Sequence, residues 1–311
     1  MLHVSAAAQA PSGAKAWSVP RTADGRPSLE GIYSTATLTP FERPAELAGK
    51  EFFTQKEAVE YESQLLHNAN RDRRDGGADV DVARAYNKFW CSRGDHIVAS
   101  RRTSRIVDLA DGRIPALTAA AQTKQAERDA MTREHGFDGP EFLRLQERCL
   151  LWPTAGPPMI PGGYNNNYQI VQTRDYVMIL VEMIHDVRVI PLSSGNAGRP
   201  HLPSSIRQWM GDSRGRWEGD TLVVDTTNFA DKTNFRGADE NLHLTERFTR
   251  TGPNTVLYRF TVDDPTAFTK PWSAEIPMNR VDGPIIEYAC NEGNYGMAGI
   301  LAGARAQEKK E

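Results

Sequence analysis

The densest group of side chains able to move protons is written EMIHDVR: Glu182, His185, Asp186 and Arg188, set between two apolar runs. Imidazole titrates near neutral pH, so His185 suits a general base or acid, and a neighbouring carboxylate such as Glu182 would fix its tautomer. Arg188 would hold an anionic or carbonyl group of a substrate. Charged groups embedded in apolar strands must be paired or line a cavity, because an isolated buried charge is strongly unfavourable. On one unbroken strand, the alternation of faces would put Glu182 and Arg188 together and His185 opposite. A turn at 184–186 would instead let all three converge at the mouth of a barrel, and an unbroken strand over 176–192 would be unusually long. A turn is therefore expected, and a structural Glu182–Arg188 ion pair beside an exposed His185 is the alternative.

A second polar run follows a Gly-Gly-Tyr turn: Asn165, Asn166, Asn167 and Tyr168. Asparagine amides donate to a developing oxyanion, which assigns Asn167 and Asn165 to substrate binding, and the Tyr168 hydroxyl can protonate a leaving group. The same run suits a plain loop, since Asn tolerates left-handed backbone. With His185, Glu182 and Arg188, these groups suit β-elimination or its reverse, hydration. His201 and His243 could join His185 in a metal site, with Glu182 or Glu246 as carboxylate. No H-x-H or H-E-x-x-H spacing supports that, so a site without metal or other cofactor is expected. Phosphate loop, G-x-S-x-G elbow and dinucleotide fingerprint are all missing, which leaves nucleotide use and serine hydrolase chemistry unsupported. Trp209, Trp217, Tyr258, Phe260 and Trp272 either line an apolar cavity or form core.

The elements that would position these residues are mainly β. From residue 168, short β-rich runs recur at 168–174, 176–183, 187–192, 206–211, 215–218, 221–229, 243–250, 255–263, 272–280 and 284–290. Turn chemistry separates them, including Glu218-Gly219-Asp220, Gly252-Pro253-Asn254 and Asp282-Gly283. An antiparallel meander of that length curls, and closure removes its exposed edges, so a bent sheet or calycin-like barrel is expected, with a two-sheet sandwich second. Helices are confined to a partly helical N-terminal half: one from Thr54 with a Glu57 capping box, one over 118–134, and a short one over 140–148. One or two strands are expected over 97–108. The Pro- and Gly-rich stretch 11–53 reads as an extended arm covering an edge of the sheet. The chain thus divides into residues 1–10, the arm 11–53, and one domain over 54–311 with a helical preface (54–150) and a β meander (168–290).

Composition narrows the partners. At 311 residues with a formal net charge of -3, the chain has no electrostatic reason to bind nucleic acid or anionic membrane. No run approaches the roughly 20 apolar residues of a spanning helix. Ala8-Gln9-Ala10 fits the small-residue rule for signal-peptidase cleavage, and residues 1–10 read as the tail of a signal peptide. Cys91, Cys149 and Cys290 follow no C-x-x-C spacing; an oxidising compartment permits one disulfide among them, and three free thiols are the alternative.

The strings GDSRGRWEGDTLVVDTTNF (211–229), PGGYNNNYQIVQT (161–173) and EYACNEGNY (287–295) resemble those of a large paralogous family of exported proteins from soil and aquatic bacteria, and WSVPRTADGRPSLEGIYSTATLTPFERP (17–44) extends the likeness. The resemblance implies export and a shared fold and brings no reaction. The family pattern has His where this chain has Asn291, so any family role of that histidine does not transfer. Because ERCL and EYACNEGNY are family-like strings, the resemblance makes Cys149 and Cys290 the better disulfide pair and leaves Cys91 free. The expected function is an exported, periplasmic or secreted, cofactor-independent lyase, hydratase or isomerase acting on a small molecule in a barrel cavity. A periplasmic carrier for an apolar small molecule and an extracellular carbohydrate-binding module are the alternatives.

Overall fold

Alternation of buried and more exposed residues is clearest along the two longest hairpin strands, at 243–250 and 255–263, because one face of each must leave water while the other stays wet. The structure, a computed structural model, describes residues 17–309 apart from 71, 74, 84–90, 153 and 194–198. The expected signal-peptide tail lies outside the described residues. In chain order the strands are β1 (Gly31–Ser34), β2 (Asn167–Gln172), β3 (Tyr176–Val181), β4 (Val187–Pro191), β5 (Asp212–Glu218), β6 (Thr221–Thr227), β7 (His243–Gly252), β8 (Thr255–Asp263) and β9 (Trp272–Arg280). They form one antiparallel sheet in the order β4-β3-β2-β1-β9-β8-β7-β6-β5. Its two edge strands approach each other through a parallel bridge between Leu192 and Gly215, backed by a Ser193 N–H to Gly215 carbonyl bond of 2.9 Å. The result is a nearly closed barrel.

Gly215 permits that closure. A Cβ there would stand 2.7 Å from Leu192 Cδ2 and 3.0 Å from Ile190 Cγ2, so any larger residue would wedge the edges apart. The hairpin that follows turns at Gly219, whose φ of 58° is easy only for glycine.

β1 departs from expectation. The N-terminal arm does not cover an edge; it supplies a central strand, pairing with β2 through Gly31↔Ile170 and with β9 through Tyr33↔Arg280. Four residues suffice because Tyr33 is fully buried in the barrel core and the backbone bonds join two halves that would otherwise present edges. Residues 206–211 and 284–290 are not strands. The former make a single bridge, Gln208↔Phe229, and the stretch 97–108 contributes only Phe52↔Arg102 and Ile106↔Ala274.

The helices are α1 (Gln55–Asn68), α2 (Ala78–Ala83), α3 (Ala119–His135) and α4 (Tyr295–Glu308). α1 carries the expected capping box between Thr54 and Glu57. The third expected helix shrinks to a single 3-10 turn at Pro140–Phe142, and α4 lies beyond the half to which helices were assigned. No helix among the described residues is long and apolar enough to cross a membrane. Cys149 and Cys290 form a disulfide with Cα atoms 5.8 Å apart, fastening the segment before α4 to the chain 141 residues earlier, and Cys91 is free.

The lumen is filled. Tyr33, Tyr168, Ile179, Phe248, Tyr258, Phe260 and Trp272 are buried in one cluster. Residues 154–159 enter it as a plug: Met159 is fully buried and its N–H donates to Tyr258 Oη, while the Tyr168 hydroxyl donates to the Thr154 carbonyl. Thus the aromatic set Tyr258, Phe260 and Trp272 is core, with Trp217 packed at its margin.

Candidate active site at the barrel rim

β3 ends where its apolar run meets Glu182, and the chain reverses through a 3-10 turn at Met183–His185 before entering β4. The turn expected at 184–186 is present. Its backbone is unusual: Ile184 and His185 are both left-handed, with φ of 65° and 49°. A β-branched residue rarely adopts that conformation, so packing must hold it there. Ile184 and Met183 are buried in the core cluster and supply that hold.

The turn presents His185 to solvent. Its Nδ1 lies 3.0 Å from the Tyr288 carbonyl oxygen. A carbonyl only accepts, so Nδ1 carries a proton and donates, and Nε2 has no hydrogen-bond partner among the described residues. The orienting group is therefore the Tyr288 backbone and not Glu182. Glu182 is buried and its Oε2 accepts from the Asn167 backbone N–H at 3.2 Å, so it fastens the start of β2 to the end of β3. Beside His185, burial pushes the Asp186 carboxyl up, with the histidine partly offsetting it.

The other expected site residues are placed differently. Arg188 points into the lumen, where Nη1 and Nη2 meet Glu246 Oε1 and Oε2 at 3.0 and 2.6 Å and Nη2 also reaches Ser213 at 3.3 Å. A guanidinium so engaged inside the barrel is not offered to a substrate at the rim. Tyr168 is buried, with its hydroxyl committed to Thr154 and pushed up chiefly by burial, which removes it as a ready proton donor. Asn165 is left-handed at φ 52°, in keeping with the loop alternative. Asn167 contributes backbone contacts to Glu182. Asn166 is the buried member of the run, accepting from Gly162 N–H and donating to the Ser92 carbonyl, and it ties this loop to residues 91–95.

No protein-family model, curated protein or solved structure matches this chain.

The alternative metal set does not assemble. His201 and His243 do meet, through Asp225, which accepts from His201 Nε2 at 2.8 Å and from His243 Nε2 at 2.5 Å, while His201 Nδ1 bonds Asp212 at 2.9 Å. His185 is tied to Tyr288 instead, and Glu246 is inside the lumen with Arg188. Among the described residues no group of three His, Cys, Asp or Glu could hold a metal ion. The His201–Asp225–His243 chain lies on the outer wall, because Asp225 and His243 alternate with the buried Val224 and Leu244. It holds the 199–210 connection against β5 to β7, assisted by the Leu202 N–H to Asp212 bond. The Asp225 bond raises His243, and although burial acts to push Asp225 up, the two histidines hold it below its ordinary value.

Two features of this end escaped sequence reasoning. One is an aromatic group beside His185: Tyr288 stacks on Tyr164 at 6.5 Å and meets Trp152 edge-on at 6.1 Å. The other is a cleft of about 550 Å³ beside the barrel, lined in part by Ser34, Asn68, Asn70, Cys91, Arg93 and Asp95. Arg93 is exposed and has no hydrogen-bond or ion-pair partner among the described residues. The loop 162–167 joins the two regions, since Ser92 N–H donates to the Gly163 carbonyl and Tyr164 packs on Tyr288. Neither feature has a local signature, because each draws on segments far apart in sequence.

Proposed function

We propose that the chain is an exported enzyme that uses general acid and base chemistry on a small organic molecule, of the lyase, hydratase or isomerase kind, at the rim of its barrel and not inside it. The observation that carries this is His185: a solvent-facing imidazole on a left-handed turn, with Nδ1 fixed by the Tyr288 carbonyl and Nε2 free to take a proton. Strained turns of this kind persist where packing over-determines them and are common at active sites. The Trp152, Tyr164 and Tyr288 rings offer an apolar shelf for the substrate. The disulfide, a bond that oxidising compartments preserve, and the family-like strings support export.

The test is proton abstraction itself. In D₂O, wild-type protein incubated with a panel of hydroxy acids, their unsaturated counterparts and keto acids should place deuterium on a carbon adjacent to the carbonyl, read by proton NMR. His185→Gln should slow that exchange about 100-fold or more with an unchanged melting temperature. Full exchange in the variant, or none in the wild type across the panel, defeats the proposal. A carrier is the second reading, favoured by the cleft, whose volume of about 550 Å³ lies within the range of ligand sites. It requires a small molecule retained in native mass spectra and no exchange chemistry.

A further inference from the structure

The barrel end that carries the β3–β4 turn also carries the start of β9, by the strand order and antiparallel register. There two arginine side chains lie against one aromatic ring. Residues 105–107 lie along β9 beyond the point where β1 stops: Val107 N–H donates to the Ser273 carbonyl, and Glu275 N–H donates to the Arg105 carbonyl. Ile106 is thereby buried in the core, and the Arg105 guanidinium is set over Phe41, 5.1 Å from the ring centre. Phe41 closes this end of the barrel against Phe260 and Trp272, at 6.4 and 5.9 Å. Arg236, left-handed at φ 55°, lays its own guanidinium 4.6 Å from the same ring centre.

Among the carboxylates of these segments, Glu42 reaches Arg236 at long range, and Asp108 and Glu275 are turned elsewhere. Glu42 accepts from Ile114 N–H through one oxygen and stands 3.8 Å from Arg236 through the other. Asp108 accepts from Ser273 N–H, and Glu275 pairs with Arg259. Arg105 Nε and Nη1 are shielded from solvent with no acceptor, as is Trp272 Nε1. Burial, with the Arg236 charge added, pushes Arg105 down to about 9, so it still carries its charge at neutral pH. The fold thus sets the Arg105 charge near that of Arg236 and gives Arg105 no carboxylate of its own, an arrangement that an incoming oxyanion would relieve.

We propose that Arg105, Phe41 and Arg236 form an anion site that takes the carboxylate or phosphate oxyanion of a small organic ligand. The guanidinium edges pair with the oxyanion, and Phe41 holds both planar forks in place. The site rests on different residues from the His185 proposal and stands or falls without it.

Thermal melting and isothermal titration with inorganic phosphate, acetate and benzoate, at ionic strength matched with sodium chloride, test it. Phosphate or a carboxylate should raise the melting temperature saturably above chloride, and the anion that does so identifies the class. Arg236→Gln changes an exposed residue with one long ion pair, so the fold should survive; its apparent affinity should fall about tenfold or more, the scale of one lost charged hydrogen bond. Arg216→Gln, far along the exposed β5–β6 hairpin, should respond like wild type. Arg105→Met should abolish the response and leave the folded state at least as stable, since it removes an unpaired shielded charge. Equal shifts with chloride, an unimpaired Arg236→Gln response, or loss of response in Arg216→Gln as well would each overturn the site.

Discussion

Replacing Arg188 by Met strands a carboxylate in the barrel. In the native chain the side chains of Arg188 and Glu246 are 2% and 0% exposed, and two hydrogen bonds join them across the lumen. Tyr258 donates its hydroxyl to Glu246 Oε1 at 2.8 Å. Without the guanidinium, that phenol is the remaining donor to Glu246, and breaking a buried pair in this manner costs about 3–5 kcal/mol. The stranded carboxylate relieves itself by taking up a proton in the folded state. Its folded-state pKa would then lie above the unfolded value, so the variant's stability falls as pH rises and recovers in acid. Arg188→Met should therefore lose about 3–5 kcal/mol at pH 7 and distinctly less at pH 5. Arg188→Met with Glu246→Leu should regain most of the loss, short of about 1–3 kcal/mol for the Tyr258 hydroxyl left without an acceptor. Urea denaturation with the disulfide intact, at both pH values, measures all of these. A single variant within about 1 kcal/mol of wild type at pH 7, or an equal loss at both pH values, would refute the account of Glu246 as a charge held buried by Arg188.

Gly215→Ala should cost about 1–3 kcal/mol by overpacking against Leu192 and Ile190, and amide exchange should quicken first along β4 and β5. The Asp225 bond raises His243 above its ordinary value, so the histidine's contribution to stability is complete below about pH 6.5 and is lost as the pH climbs through the raised value. Asp225 is held low, so its own contribution is lost only as the pH falls through that lowered value. His243→Asn should therefore flatten the alkaline side of the stability curve and leave a His201-dependent acid side. Reducing the Cys149–Cys290 bond, which closes a separation of 141 residues, should cost about 2–5 kcal/mol, and alkylation before reduction should label Cys91 alone.

Local chemistry was legible in the sequence. β8 and β9 fall where alternation placed them, at Thr255–Asp263 and Trp272–Arg280, because burial of one face imposes a period of two. The Thr54 capping box and the turn before β4 were equally local, whereas the convergence of Glu182, His185 and Arg188 expected from that turn does not occur. Tertiary structure decided what joins distant segments. Four residues of a Pro- and Gly-rich arm became a central strand because the sheet needed backbone partners there, a demand that leaves no periodicity in so short a run. Arg188 found Glu246, 58 residues away, and not Glu182, because strand alternation aims both into the lumen while Glu182 is held at the turn by the start of β2. Histidine 185 took its orientation from a backbone carbonyl 103 residues later, and every residue has a carbonyl, so no side-chain pattern could have marked Tyr288. The filled lumen likewise followed from cross-barrel packing, in which alternation fixes the side each residue faces but not the volume remaining after all of them meet.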